Sequence, residues 1–400
     1  VVGSAFMIGY VLASVIFAKL ADVIPPGVVM SVGLGTWTIG AFGTALAPNY
    51  TILVFWRMFV GVGEASFVCL APTYIDDYSP AGRRTLWLSI FYAAVYIGYA
   101  AGFAVGGFFT ALCPQCWRGA FIFEAVCMGP FIITALGIPD IKRSASGLLP
   151  EDNTEEDQLF VAAKMKMAAT KHRQRSAREV NQGEEDQEDQ VQEEDEEDEE
   201  DENDDIPAVV VLPVVGLLTA LYRLLSNAVF LTSVMGFAAA TFVAGALAFW
   251  GPAFMTKVLH MNLPVTGVAI AIITVFTGLV GTVFGGALVD WLGGTQGKGG
   301  VRRGMLMSSL FTLCSFPFFL LAFFTSYTPL FCLFLGMGEF LIFAVTAPVY
   351  GAQLSSCPPA LRNYSMALSN LMMHLFGDVP SPAVVGLVAT LTGSLRDGML

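Results

Sequence analysis

The 400-residue chain is 55% hydrophobic and only 13% charged, with 41 glycines and a mean hydropathy of +0.66. A water-soluble domain carries about 25% charged residues, so this composition excludes an ordinary soluble enzyme or nucleic-acid binder and points into the bilayer. The net charge of −13 is local: 17 of the 33 acidic residues lie between Glu184 and Asp205, and the other 16 stand against 20 basic residues.

Ten stretches approach the ~20 apolar residues that a bilayer core demands. They run over residues 1–20, 28–48, 51–74, 85–112, 119–138, 228–255, 264–289, 305–325, 330–352 and 361–388. An all-α membrane protein follows. The first residue already sits in an apolar run and no secretory signal pattern is present. A polar segment, residues 140–207, separates the fifth span from the sixth. Its acidic run lacks the spacing and the glycine of a Ca²⁺ loop, and a block of like charge reads as a solvated linker. The basic stretch Lys164–Arg178 before it suits anionic lipid or the acidic run itself. The following apolar piece, Ala208–Leu225, reads as an interfacial helix or as the run-in to the next span.

Walking the loops alternately across the membrane puts 16 Lys and Arg on one side and three on the other, with Arg57 inside the bilayer. The positive-inside rule makes the first side, with the central segment, cytoplasmic. Cys113 and Cys116 form a CPQC loop at the opposite side, where a local disulfide is one reading. Neither it nor the scattered cysteines complete a metal set.

The chain repeats. G-x-G-E followed by A-P-x-Y occurs at Gly61–Tyr74 and again at Gly336–Tyr350; AKLAD at Ala18–Asp22 matches GALVD at Gly286–Asp290. Both pairs fall in the same order and the same direction across the membrane, the pattern of a parallel repeat. The shared order gives an expectation of twelve spans as six plus six, with the present ten matching the second to sixth and the seventh to eleventh.

Two such halves, with an acidic residue closing the second span, resemble the major facilitator superfamily. Arg57-x-x-x-Gly61-x-Gly63 is similar to its fourth-span motif, and Gly98-x-x-x-Gly102-x-x-x-Gly106-Gly107 to its fifth-span glycine motif. VGVGEASF, WLSIFY, FVAGALAFWGP and HLFGDVPSP resemble the Spinster family of lysolipid and sphingolipid transporters, most closely its plant-type members. The superfamily's Asp-Arg-x-Gly-x-Arg-Arg loop is not kept: Asp22 is followed by VIPPGVV. The resemblance implies a first-span acidic partner for Arg57 that lies outside the chain, and a secondary transporter that rocks two bundles, residues 1–139 and 208–400, around a central lipid site.

Charges inside spans need reasons, since each costs ~2.5–3.5 kcal/mol at the bilayer centre on insertion scales. Arg57 and Glu64 stand two turns apart on one helix face. The guanidinium fork suits an anionic headgroup. Glu64 and its repeat mate Glu339 are substrate-site candidates, and Glu64, His374 and Asp378 are proton-coupling candidates. Against these stand structural interhelical pairs and a packing hydrogen bond beside Pro380 and Pro382. Arg57 has no repeat mate, because Cys332 fills the matching position. Glu124 reads as interfacial. Asp22 and Asp290 read as gate braces, and Gly98, Gly102, Gly106 and Gly107 as a close-packing or hinge face.

No GxxxxGK[ST] motif and no Ser/His/Asp set occurs, so the expectation is a monomeric transporter with no cofactor, no metal and no nucleic-acid partner. Its expected partners are the bilayer, an amphiphilic lipid and protons. Two alternatives remain: a carrier of a small organic anion or sugar, and a non-transporting scaffold whose acidic loop recruits partners.

Overall fold

The computed structural model describes residues 2–21, 24–80, 82–113, 115–138 and 216–399. The linker, its acidic and basic runs, and Asp22 lie outside the described residues. Before the linker stand α1 (Val2–Leu20), α2 (Pro26–Leu46), α3 (Tyr50–Tyr78), α4 (Arg84–Leu112) and α5 (Trp117–Leu136). After it come α6 (Leu217–Ser226), α7 (Ala228–Lys257), α8 (Leu263–Trp291), α9 (Gly297–Phe324), α10 (Thr328–Ala344) and α11 (Thr346–Ser356). The last group is α12 (Arg362–Met373), a π turn (His374–Asp378), α13 (Ser381–Thr392) and α14 (Leu395–Met399). Among the described residues nine helical stretches are long and apolar enough to cross a membrane, with α1 a shorter apolar helix.

Local chemistry sets several boundaries. Asn49 caps α3 by accepting from the Ile52 N–H at 3.0 Å. Asn227 caps α7 through the N–H groups of Val229 and Phe230, and its extended backbone breaks the chain between α6 and α7. The piece before the sixth span is therefore a separate short helix: Ala220 and Leu224 are buried while Leu218 and Tyr222 point outward. Pro348 has no N–H to offer the Ala344 carbonyl four residues back, which accounts for the break between α10 and α11. Gly285 of α8 lies against that carbonyl, where a Cβ would collide. Pro380 and Pro382 leave the carbonyls of Phe376 and Asp378 without helical donors. The chain answers with the π turn, in which Gly377 leaves helical geometry (φ −99°, ψ −105°).

Burial is arranged for a lipid solvent. On α1, Tyr10, Ala13 and Phe17 are at most 7% exposed, whereas Ile8, Leu12 and Ile16, one turn apart, are 55–63% exposed. An outward stripe of aliphatic side chains suits hydrocarbon rather than water. α3 packs on α1 and α2, and α2 on α5; α10 packs on α8 and α9, and α7 on the π turn. The two sets meet through α4 against α8 and α11, and through α12 against α1 and α3. Cys113 and Cys116 are joined by a disulfide between α4 and α5.

One expectation needs correction. A Cβ at Gly98, Gly102, Gly106 or Gly107 would meet nothing within 4 Å among the described residues. The close packing of α4 is made elsewhere, where Gly278 of α8 faces the Tyr96 ring and Gly286 faces Ser89. These α8 glycines, rather than the α4 stripe, let the two helices approach.

Candidate functional site

Three polar groupings lie inside the apolar bundle. The first is central. Glu64, on α3, lies within electrostatic reach of His374, with Tyr10 and Tyr99 alongside. The π turn points His374 Nδ1 at both carboxylate oxygens of Asp378, 3.0 and 3.1 Å away, and the Tyr10 ring meets the imidazole edge-on at 5.6 Å. Three of the residues singled out in the sequence thus converge from opposite halves of the chain. The acid–imidazole–acid series has the chemistry to hold and pass a proton.

The second grouping surrounds Arg57. Its guanidinium lies 4.3 Å from the centroid of the Phe121 ring on α5, a cation–π contact of the desolvated kind. The charge of Glu124, one turn beyond Phe121, bears on Arg57. Glu124 in turn accepts from the Trp37 indole N–H at 2.9 Å. Glu124 is therefore part of an internal polar set joining α2, α3 and α5. Counting from the helix end placed it at the interface; its direction, which that count does not give, places it here.

The third belongs to Glu339 on α10. It is 6% exposed and its carboxyl oxygens stand 3.4 and 3.2 Å from the hydroxyls of Thr274 and Thr277 on α8. It borders a cavity of about 50 Å³ with Val243, Leu247, Ile270 and Phe319. That space has room for a few water molecules at most and is well below the ~300 Å³ of an ordinary ligand pocket. Glu339 and Glu64, mates in the repeat, thus occupy different surroundings.

Below the central group, toward the basic end of the bundle, the halves touch. Tyr92 of α4 stacks on Tyr350 of α11, centroids 4.5 Å apart and planes within 11°. Tyr350 also donates to Asn370 Oδ1 at 2.7 Å, and Phe237 meets its ring edge-on. Lower still, Asp290 at the end of α8 accepts from the first backbone amides of α4, Thr85 N–H at 3.2 Å and Leu86 N–H at 2.7 Å. A carboxylate there satisfies two orphan donors and meets the positive end of the α4 dipole. Arg362, at the start of α12, bonds Asp77 at 2.7 Å and stands 3.4 Å from Asp76. Asp76 is fully buried, with Arg84 at 3.8 Å. Asp76, Asp77 and Arg362 were not singled out in the sequence, although two adjacent acids ending an apolar run were a visible signal. Among the described residues no cluster of His, Cys, Asp or Glu is arranged to hold a metal ion.

Residues 1–379 match the family model of the Major Facilitator Superfamily. The chain is 31% identical over 398 residues to the "Probable sphingolipid transporter spinster homolog 2" of Arabidopsis thaliana, covering 99% of this chain and 70% of that protein. It is 25% identical to the "Sphingosine-1-phosphate transporter SPNS2" of Mus musculus, covering 97% and 62%. Among solved structures, the proton:xylose symporter XylE superposes with a TM-score of 0.67 at 15% identity, covering 99% of this chain and 81% of that one. At that identity the likeness speaks for the fold alone.

Proposed function

The chain belongs to the major facilitator superfamily and, within it, to the spinster homologues; on that premise we propose that this membrane transporter carries an amphiphilic lipid with an anionic headgroup. A lysophospholipid or a phosphorylated sphingoid base has the right chemistry. The observation that carries the reading is Arg57: a cation within an apolar membrane-spanning helix, held over an aromatic ring. A guanidinium offers paired donors to phosphate oxygens, and in low dielectric such bonds are worth more than in water. The names borne by the Arabidopsis and mouse relatives support a sphingolipid.

In this reading the bundles of residues 1–139 and 208–400 rock about the central group, with the linker of residues 140–207 and the basic end cytoplasmic. Asp290, with the Arg362–Asp77 and Arg362–Asp76 pairs, fastens the cytoplasmic end, so the described state is closed there. Glu64, His374 and Asp378 couple the movement to protons, and Glu339 lines the second half of the path.

The test is reconstitution in liposomes with a panel of lysophospholipids and sphingoid-base phosphates at two pH values. Lipids bearing phosphate should be taken up, their uncharged counterparts poorly, and hexoses should not compete. Arg57→Ala should lower phosphate-lipid uptake at least about tenfold, as loss of a charge-assisted bidentate contact implies. Unchanged uptake in that variant would sink the headgroup assignment.

A further inference from the structure

Glu339 reaches from α10 into its seam with α8, where both of its oxygens meet hydroxyls. Oε1 stands 3.4 Å from Thr274 Oγ1, and Oε2 stands 3.2 Å from Thr277 Oγ1. A hydroxyl has one proton to give. Thr277 Oγ1 also lies 2.7 Å from the carbonyl of Ile273, one turn back, and 3.5 Å from that of Thr274. The shortest of these contacts takes the proton, so Thr277 Oγ1 faces Glu339 Oε2 as an acceptor. Two facing oxygens need a proton between them, and the carboxyl is the group left to supply it. One chain then satisfies every member: Thr274 O–H to Oε1, Oε2–H to Thr277 Oγ1, and Thr277 O–H to the Ile273 carbonyl. An ionised Glu339 fits these distances poorly, because a carboxylate draws hydroxyl donors in to ~2.5–2.7 Å. None of the described ion pairs includes it. α7 and α9 bring only apolar side chains to it, Val243, Leu247 and Phe319 among them. From α4 the Tyr96 phenol is in electrostatic reach, its ring packed on Phe343 at 4.8 Å.

We propose that Glu339 is a standing proton-binding site: a neutral carboxylic acid that donates to Thr277 and keeps its proton through the transport cycle, unlike its repeat mate Glu64. The protonation rests on the contacts above, and its retention rests on the rocking of two bundles. The hydrogen-bonded chain joins α8 to α10, both in the second half of the protein. Gly281 and Gly285 of α8 lie against the carbonyls of Phe340 and Ala344 on α10, so closely that a Cβ at either would collide. A seam clamped in this way moves as one piece when the halves rock, and nothing in the movement pulls the acceptor from the acid. The central group differs, because Glu64 and His374 belong to opposite halves and part or approach as they turn. A neutral acid also leaves the wall of the second half uncharged. An anionic headgroup then passes it without the repulsion that a carboxylate in low dielectric would exert.

The experiment is infrared spectroscopy of the whole protein in liposomes at about pH 8, where an ordinary carboxylic acid is ionised. Glu339→Gln is the reference, since an amide can accept from Thr274 and donate to Thr277 but carries no acid. The wild-type spectrum should show the carbonyl stretch of a protonated carboxylic acid that the glutamine variant lacks. An accepted hydrogen bond weakens a carbonyl, so Thr274→Val should move that band to higher frequency; this shift against wild type gives the same reading if the glutamine variant does not fold. Absence of an acid band, from a bare carboxylate or from one holding a sodium ion, overturns the proposal. Retention is read from the pH profile of uptake of a sphingoid-base phosphate between about pH 5 and 8. Glu339→Gln should keep the shape of the wild-type profile whatever its rate, whereas Glu64→Gln should flatten it. Flattening by Glu339→Gln would mean that its proton leaves during the cycle, and the standing role fails. A wild-type protein that takes up no lipid sinks the transport reading instead, while the band still decides where the proton sits.

Discussion

At the scale of single residues, the central question is what each intramembrane charge is doing. Glu64, His374 and Asp378 were visible in the sequence because ionisable groups stand out in apolar spans. Their meeting was not, since it depends on α3 facing α12 and the π turn, a tertiary fact no local pattern carries. Glu124 was misplaced for a related reason: depth along a helix can be counted, but direction around it depends on neighbours. Glu64→Gln fixes a neutral side chain at a position that must lose and regain a proton if coupling runs through it. Wild-type uptake should therefore vary with pH between about 5 and 8, the range in which a free imidazole changes charge, and Glu64→Gln should flatten that profile. Measured initial rates that are flat in the wild type as well would refute proton coupling.

At the scale of helices, the number and rough limits of the spans were legible because about 20 apolar residues leave little choice of structure. The breaks were partly legible: Pro348, Pro380 and Pro382 announce missing donors, though not that a π turn and Gly285 would take up the consequences. The glycine stripe of α4 misled, because small residues permit close approach without naming the helix that approaches. The Asp290 cap was harder still. Its partners are main-chain amides at the start of α4, and these have no signature in residue type. Bonds to a carboxylate contribute about 1.5–3 kcal/mol each, so Asp290→Asn should shift the population toward a state open at the basic end by about tenfold or more. A thiol introduced at Ser89, buried against Gly286 in the closed state, would report this. In a background free of other reactive cysteines it should label faster with a membrane-impermeant maleimide when Asp290 is also replaced. Equal labelling rates would mean the cap does not hold the end shut.

At the scale of the whole molecule, charge is divided between a mildly basic membrane body and an acidic run lying outside the described residues. A run of like charge with few apolar residues has nothing to pack. Deleting Glu184–Asp205 should leave lipid uptake within about twofold of wild type, as a solvated linker implies. Loss of flux, measured in the same liposomes, would instead give the segment a direct part in transport. The Tyr92–Tyr350 stack bears on the molecule in another way, as electrical insulation. Two parallel rings 4.5 Å apart, with Phe237 edge-on behind them, leave no room for water between their own faces. If the proposed coupling runs through the central acids, a proton held there must be kept from running down the gradient unaccompanied. Without lipid cargo, liposomes holding the wild-type protein should hold a pH gradient as long as protein-free ones, and Tyr92→Ala should shorten that time severalfold. The rings would then be what makes every proton's passage cost a lipid's.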